Sequence, residues 1–285
     1  MKLYSPAAVT ALLLKHNFKI SKGLGQNFLV DKNITEKILD GAGIGEGDLV
    51  IEIGPGIGAL TAAAAARAEK VIGIEIDKGL LPILKETLCD YDNIEIINAD
   101  ILKANIKELA GRAEKPAGAV KIIGNLPYYI TTPVIMKILE DKVPAESMTV
   151  MVQREVGDRI KSGPGTKKYG AITAAINYYC EVAHIADVSR EVFIPKPNVD
   201  SAVLRLDIRK KPPVDLIDEK MFFLCIKASF GQRRKTLLNS LTGVSGLDKK
   251  QVHKALLRAS VDPERRAETL GLFEFAAIAN CMSGD

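Results

Sequence analysis

The sequence predicts an α/β protein in which helices cover both faces of a mainly parallel β-sheet, followed by a small all-α C-terminal domain. Short apolar runs that are typical of buried parallel strands alternate with helical segments over most of the chain. A G-x-G-x-G loop that starts at Gly54 joins the first long strand to an alanine-rich helix. Past the basic, proline-containing linker at residues 210–213, only helical patterns follow. We therefore predict two domains, residues 1–210 and 211–285.

The composition excludes several classes of protein. With 285 residues, of which 47% are hydrophobic, the chain can form one large or two modest domains with a sizeable core. No apolar run approaches the ~20 residues of a membrane span, and the N-terminus lacks a signal-peptide core, so we expect a cytoplasmic protein. The four cysteines lie far apart and the three histidines form no ligand pattern. Neither a disulfide framework nor a metal site is expected.

The formal net charge of +4 is unevenly distributed. Residues 205–285 contain 15 Lys and Arg against 10 Asp and Glu, whereas residues 1–204 contain 24 against 25. A basic C-terminal part suggests an anionic partner such as RNA, although a solvated basic surface is the alternative. Within that part, Arg233, Arg234 and Lys235 form a compact cluster at the predicted start of a helix. Cations are unfavourable there for the helix dipole, which favours an RNA-binding role.

A loop rich in glycine and amide residues follows the first predicted helix. The helical pattern of residues 9–16 leads into residues 19–29, where two glycines and two amides are unsuited to a helix interior. This segment is predicted to be an ordered loop that could fold over a ligand. Asp31 or Asn33 is predicted to cap the next helix, which ends near Asp40.

The glycine loop has the strand–turn–helix context of a nucleotide-binding site. Gly54 and Gly56 let the backbone approach a ligand at the N-terminus of the next helix. Glu75 ends the second predicted strand, where an acid can accept hydrogen bonds from both ribose hydroxyls of a cofactor. The alternative for Glu75 is a surface acid at a strand end. Glu52 either meets the cationic end of the cofactor or is an acid at the edge of the core.

A third strand, at residues 94–97, leads to Asp100, which could accept a hydrogen bond from the amino group of a cofactor adenine. Sites for NAD and for S-adenosylmethionine share the glycine loop and the acid at the end of the second strand. The segment after the fourth strand separates these two kinds of site.

That segment is Gly124-Asn125-Leu126-Pro127-Tyr128-Tyr129, after the apolar run at residues 120–123. The amino group of adenine is a poor nucleophile because its lone pair is delocalised into the ring. The Asn125 side-chain oxygen and the Leu126 carbonyl could accept its two N–H protons and direct the lone pair at an electrophile. Pro127 stiffens the turn, and Tyr128 could stack on the base. This layout predicts a methyltransferase that acts on an amino group, and an ordinary strand-to-helix turn is the alternative.

Further along the chain, the pattern predicts a strand at residues 148–153, a charged helix at 154–161 and a flexible basic loop at 162–170. The loop could contact phosphates or simply be solvated. Two more predicted strands, at residues 181–189 and 202–208, bracket an F-x-P-x-P turn. Its prolines could hold Phe193 as the second aromatic face around a base, and an apolar loop anchor is the alternative.

Together these motifs resemble the rRNA adenine N6,N6-dimethyltransferase family. The resemblance rests on segments that occur in the family's order, namely Gly25–Leu29, Glu52–Thr61, Asn98–Asp100, Asn125–Tyr128, Phe193–Ser201 and Phe230–Asn239. It implies a Rossmann-like fold and S-adenosylmethionine as the cofactor. The implied cofactor-binding residues are Asn27, Leu29, Gly54, Gly56, Glu75, Asp100 and Asn125. The implied catalytic residues are Asn125, Leu126, Pro127, Tyr128 and Phe193.

The chain looks closest to the KsgA-type branch of the family. That resemblance implies two methyl transfers to each of two adjacent adenosines in a small-subunit rRNA hairpin, within a pre-ribosomal particle, by a monomer. An Erm-type enzyme for large-subunit rRNA, a DNA adenine methyltransferase and a non-catalytic assembly factor are the alternatives. A NAD-dependent dehydrogenase is a further alternative, but it leaves Asn125–Tyr128 unexplained.

Overall fold

A computed structural model describes residues 3–111 and 118–283. The strands are β1 Phe28–Leu29, β2 Leu49–Ile53, β3 Lys70–Glu75, β4 Ile94–Asn98, β5 Val120–Asn125, β6 Ser147–Gln153, β7 Cys180–Val188, β8 Phe193–Ile194 and β9 Ser201–Ile208. The helices are α1 Pro6–Lys15, α2 Lys32–Ala42, α3 Ala59–Ala65, α4 Leu81–Thr87, α5 Ile106–Ala110, α6 Thr131–Glu140, α7 Arg154–Ile160, α8 Ala171–Tyr179, α9 Glu219–Gly231, α10 Leu237–Leu241, α11 Lys249–Arg258 and α12 Leu272–Ser283. Chain contacts divide the molecule into two compact units, Met1–Gly157 with Val182–Ile208, and Asp158–Glu181 with Arg209–Asp285.

The main sheet has the strand order β4-β3-β2-β5-β6-β9-β7. The five strands β4, β3, β2, β5 and β6 are each parallel to their neighbours, and β9 pairs antiparallel with β6. The predicted α/β class is confirmed, and the two strands predicted last in the chain are neighbours at one edge. Because β3, β2 and β5 are adjacent and parallel, the segments after them meet at the same sheet edge.

Apolar side chains from the sheet and its helices form the core of the first unit. Every residue of β2 is buried. One cluster joins Val50 and Val71 of the sheet to Leu39 of α2, and a second joins Leu12 of α1 to Ile83 of α4. The predicted cap of α2 is confirmed for Asp31, whose carboxylate accepts a 2.9 Å hydrogen bond from the backbone N–H of Ile34.

The second unit differs from the predicted domain division, since it contains residues 158–181 as well as the C-terminal helices. The reason is aromatic packing. The ring of Tyr169 lies 5.4 Å from that of Phe230, and the ring of Tyr178 lies 5.1 Å from that of Phe222. These side chains share one buried cluster with α11 and α12. Burial of these rings therefore places α8 with the helical unit, which a boundary drawn at residue 210 does not.

The helix predicted at residues 233–242 is shorter than expected. Helix α10 begins at Leu237, and Arg233–Lys235 lie in the turn after α9, where the backbone N–H of Lys235 donates to the Gln232 carbonyl at 2.8 Å. Thr236 has an extended backbone and ends that turn. The helix-dipole argument for the basic cluster was therefore wrong, because the cluster follows the C-terminus of α9, where cations are favourable.

Within residues 3–111 and 118–283, none of the helices combines the length and the apolar character that crossing a bilayer requires.

Candidate active site

A cavity lies in the first unit at the carboxyl ends of β2, β3, β4 and β5. The loop at residues 19–29, called the covering loop from here on, also lines it through Gly25 and Asn27. Most of the predicted cofactor residues meet there, namely Asn27, Gly54, Gly56, Glu75, Asp100 and Asn125. They come from segments up to about a hundred residues apart in the chain, and the parallel sheet brings them together.

The glycine loop needs its glycines for conformation and for space. Gly54 and Gly56 have φ values of +69° and +61°, a region that favours glycine. A Cβ atom on Gly56 would lie 3.1 Å from the ring of Phe28, so a side chain there would press on the covering loop. Both glycines line the cavity, and the backbone is therefore the surface presented to a ligand at this point.

The carboxylate of Glu75 is held at the end of β3 by the backbone. Its two oxygens accept hydrogen bonds from the N–H groups of Gly56 at 3.2 Å and Asp77 at 2.8 Å. Burial raises the pKa of Glu75, and these two N–H donors oppose the rise. Each carboxylate oxygen has a second lone pair, so this side chain could still accept bonds from two ribose hydroxyls.

Asp100 lies just past β4 and is oriented by its own turn. One carboxylate oxygen accepts a 2.9 Å bond from the backbone N–H of Leu102. The neighbouring Asn98 donates its amide to the Glu75 carbonyl at 2.8 Å, which ties the ends of β3 and β4 together. The second oxygen of Asp100 lies 3.8 Å from Lys103 Nζ and, since Asp100 lines the cavity, could still take a hydrogen bond from an adenine amino group.

Glu52 lies in a smaller recess that Gly54, Asn27 and Asn125 also line. Its side chain is 1% exposed, and its Oε2 atom has no hydrogen-bond partner among the described residues. Burial raises the pKa of Glu52 to about 7; the Thr61 hydroxyl opposes the rise and the charge of Glu75 adds to it. A buried carboxylate oxygen without a partner fits the cationic amino end of S-adenosylmethionine.

Asn125 connects the fourth parallel strand to the covering loop. Its Nδ2 donates a 2.9 Å hydrogen bond to the backbone carbonyl of Asn27. That bond fixes the orientation of the carboxamide and leaves Oδ1 as the acceptor. The turn itself is anchored by the Leu126 N–H, which donates to the Met151 carbonyl at 3.2 Å, and the Leu126 side chain is 1% exposed.

The aromatic residues are arranged differently from the sequence-based expectation. Tyr128 is half-buried, with its hydroxyl 2.9 Å from Ser201 Oγ, whereas its neighbour Tyr129 lines the cavity and is 57% exposed. Phe193 is only 3% exposed and packs in the core with Leu29 and Met151. We expected an accessible Phe193 ring, but the ring is buried. The pairing of β8 with β1 sets Phe193 beside Leu29, and both side chains pack in the same core cluster.

Two residues of the covering loop, Leu29 and Gln26, have positions that the sequence did not indicate. Leu29 does not line the main cavity, since its side chain is buried in the core. Gln26 was not singled out from the sequence, yet its Nε2 donates to Asp77 Oδ2 at 2.6 Å and its Oε1 accepts from the Ser21 N–H at 2.7 Å. The amide pair Gln26-Asn27 was the available signal, and its meaning depends on Asp77, which is remote in sequence.

Residues 17–278 match the family model described as ribosomal RNA adenine dimethylase. The chain belongs to that family. It is 51% identical over 282 residues to ribosomal RNA small subunit methyltransferase A of Clostridioides difficile (strain 630). This match covers 99% of this chain and 97% of the relative. The protein of the same name from Bacillus cytotoxicus is 49% identical over 281 residues, 98% of this chain and 96% of the relative.

Two solved structures share the fold. A dimethyladenosine transferase from Plasmodium falciparum aligns with a TM-score of 0.75 at 24% identity, over 88% of this chain and 95% of that one. The 23S rRNA methyltransferase ErmE aligns with a TM-score of 0.67 at 27% identity, over 90% and 99%.

Family membership confirms the predicted Rossmann-like fold, the predicted enzyme class and S-adenosylmethionine as the cofactor. No group of His, Cys, Asp and Glu in the described ranges could hold a metal ion. The roles assigned to individual site residues, and the RNA-binding role of Arg233, Arg234 and Lys235, stay predictions.

Proposed function

We propose that this dimethylase transfers methyl groups from S-adenosylmethionine to N6 of two adjacent adenosines in a 3'-terminal hairpin loop of small-subunit rRNA. The product is N6,N6-dimethyladenosine, made during small-subunit biogenesis in the cytoplasm, by a monomer acting on a pre-ribosomal particle. The choice of the small subunit is supported by the names of the relatives, at 51% and 49% identity, against 27% for the large-subunit enzyme ErmE.

The observation that carries this proposal is the hydrogen bond from Asn125 Nδ2 to the Asn27 carbonyl. Because the amide nitrogen is engaged, Oδ1 of Asn125 is the atom available to accept a hydrogen bond from one N–H of the adenine amine. The Leu126 carbonyl, on the next residue of the same turn, would accept the second. Two acceptors on one rigid turn would draw the nitrogen toward tetrahedral geometry and direct its lone pair.

The cofactor fits the residues that surround the cavity. Glu75 would hold the ribose, Asp100 the adenine amino group, and Gly54 and Gly56 would allow close backbone approach. Glu52 would face the amino group of the methionine part. The bound sulfonium supplies an already activated methyl group, so the protein's contribution is positioning and exclusion of water.

The target base must leave its stack to reach Asn125, as base-modifying enzymes require. Tyr129 lines the cavity and is more than half exposed, so it is the ring placed to meet such a base. For Tyr128 to stack on the base, the base must reach the face of the Tyr128 ring from the cavity. The stacking role of Phe193 requires its ring to leave the core.

The deciding experiment is transfer of labelled methyl from S-adenosylmethionine to naked small-subunit rRNA, to undermethylated small subunits and to large-subunit rRNA, followed by nucleoside analysis. We expect label in N6,N6-dimethyladenosine from the subunits. Label only in large-subunit rRNA would overturn the proposed substrate. Binding of S-adenosylmethionine without transfer to any of these RNAs would reject the proposed reaction and point to an assembly factor or to a different RNA substrate.

A further inference from the structure

Three segments of the second unit are joined by backbone hydrogen bonds. The loop at residues 163–168 is held by the Gly165 N–H, which donates to the Glu268 carbonyl at 2.7 Å. The Leu237 N–H donates to the Arg265 carbonyl at 2.8 Å, which brings the turn at residues 232–236 to the same place. The basic loop, the basic turn and the segment around residue 265 therefore form one continuous surface.

This composite basic surface is defined by its exposed cations. They are Lys167, Lys168, Arg233, Arg234, Lys235 and Arg266. Lys168 is paired with Asp158 at 2.8 Å, and Arg265 beneath the surface is paired with Glu274. The cations come from three segments, so their grouping is a product of the fold and not of one charge run. A surface of this kind suits the phosphates of an RNA backbone.

Arg233 is a cation of this surface whose side chain bonds to the basic loop. Its Nη2 donates to the carbonyls of Lys167 at 3.1 Å and of Tyr169 at 2.5 Å. The two N–H groups of this one guanidinium nitrogen therefore link Arg233 to two carbonyls of the basic loop. The loop is also held by the bond from the Gly165 N–H to Glu268 and by a 2.9 Å bond from the Thr166 hydroxyl to the Gly163 carbonyl, but neither contact involves Lys167.

We propose that the loop at residues 163–168 is part of the RNA-binding surface and that Arg233 is its positioning residue. Arg234, Lys235 and Lys167 contact phosphates, whereas Arg233 acts by holding Lys167 in place. This inference rests on the proposed function and identifies the surface through which rRNA is bound.

The test is the binding of naked small-subunit rRNA by the full-length chain over a series of salt concentrations. Each phosphate contact contributes about 0.7 to 0.9 to the slope of log K against log salt. We expect Lys167→Gln and Arg234→Gln to lower both the affinity and the slope by about one contact each. Lys220→Gln, an exposed cation near the opposite end of α9, is the matched control and leaves the slope unchanged.

Arg233→Lys separates charge from position. Lysine keeps the positive charge, but its side chain is one bond shorter and its ammonium does not reach both carbonyls, so the variant should lose as much affinity and slope as Lys167→Gln. The double variant with Lys167→Gln should bind within about twofold of Arg233→Lys alone, because the two changes remove one contact. Amide hydrogen exchange of residues 163–168 should increase in Arg233→Lys and decrease in the native chain when RNA is added.

Affinity unchanged in Arg233→Lys but reduced in Arg233→Ala would overturn the positioning role, since charge alone would then suffice. Additive losses in the double variant would overturn it as well. Circular dichroism and thermal unfolding of each variant check that the second unit is folded, and the exchange measurement on the native chain decides the matter if a variant does not fold.

The outcome is separable from that of the proposed function. Normal methyl transfer by Lys167→Gln, with an unchanged salt slope, would reject the surface and leave the reaction standing. Loss of slope as expected, with no methyl transfer to small subunits by the native chain, would reject the reaction and leave the surface standing.

Discussion

Two buried carboxylates on neighbouring strands have different surroundings. Glu75 receives two backbone N–H groups, whereas Oε2 of Glu52 has no partner among the described residues. Both lose hydration on folding, which raises both pKa values. The difference fits their proposed partners, because ribose hydroxyls require an oriented acceptor and a cationic amine requires an unsatisfied negative charge.

The first prediction concerns Asn125→Ala. Removal of the Oδ1 acceptor should lower methyl transfer at saturating cofactor by about a hundredfold or more, as for loss of one preorganised polar group at a reacting centre. Equilibrium binding of S-adenosylmethionine should change by much less, since Glu75 and Asp100 remain. Single-turnover kinetics and isothermal titration measure the two effects. A collapse of cofactor affinity with normal turnover at saturation would contradict the assigned role.

Glu52→Gln is predicted to be more stable than the native chain at pH 8. The folded pKa of Glu52, about 7, lies above its unfolded value of 4.5, so the charged form opposes folding. As pH falls from 8 to 5, the folded native chain takes up this proton and gains stability. The advantage of the variant, on the order of a few kcal/mol at most, should therefore shrink as pH falls through 7 and vanish only below about pH 4.5, the unfolded pKa. Urea unfolding across this range measures it, and a pH-independent difference would contradict the assignment.

At the scale of elements, the short strands β1 and β8 couple two segments that lie far apart in the chain. Phe28 pairs with Ile194 and Leu29 with Phe193, and the Val30 N–H donates to the Val192 carbonyl at 2.9 Å. This pairing attaches the covering loop to the F-x-P-x-P turn and buries Phe193. At the cavity the covering loop has two further attachments. Asn125 Nδ2 donates to the Asn27 carbonyl, and Gln26 Nε2 donates to Asp77.

Gln26→Ala should weaken cofactor binding severalfold and leave the rate at saturation nearly unchanged, since Asn125 keeps its own bond to Asn27. Gln26→Glu should weaken binding more, because its carboxylate would face Asp77 across a 2.6 Å contact. Cofactor titration and methyl transfer at saturating cofactor measure the two quantities. Equal binding by Gln26→Glu and the native chain would show that this contact does not hold the loop.

At the scale of the whole molecule, a buried ion pair lies at the end of the sheet opposite the site. Lys121 Nζ is 2.8 Å from Asp48 Oδ2, and both side chains are less than a tenth exposed. Asp48 also accepts from the N–H groups of Gly45 and Ala119 at 2.7 and 2.8 Å. Burial acts to raise the pKa of Asp48, but Lys121 and the two N–H donors outweigh it, and the pKa is lowered.

Lys121→Met should lower the free energy of unfolding by about 3–5 kcal/mol at pH 7, because Asp48 would be left buried without its counter-charge. Lys70→Met is the matched control, on β3 in the same sheet. It removes an exposed pair with Glu95 and should cost less than about 1 kcal/mol. Denaturant unfolding measures both, and similar losses in the two variants would contradict this account.

Much of the fold follows from local patterns. Apolar runs predicted β2 to β6, and glycine spacing predicted the turn after β2, because burial on both faces and positive φ values leave clear marks in a sequence. The short pair β1 and β8 was not predicted, since two residues carry no periodicity. The start of α10 was misplaced because Arg233–Lys235 have ordinary helix propensity and only the following Thr236 ends the turn.

The sequence by itself determined the sheet class and the family resemblance, and six of the seven residues that it predicts to bind the cofactor line the cavity. These depend on chemistry carried by residue type at the ends of predicted strands. Tertiary structure alone decided that Phe193 is buried, that Tyr129 and Gln26 are at the cavity, and that Arg233 holds the basic loop. Each of those depends on a partner remote in the chain, and a contact of that kind leaves no local pattern to read.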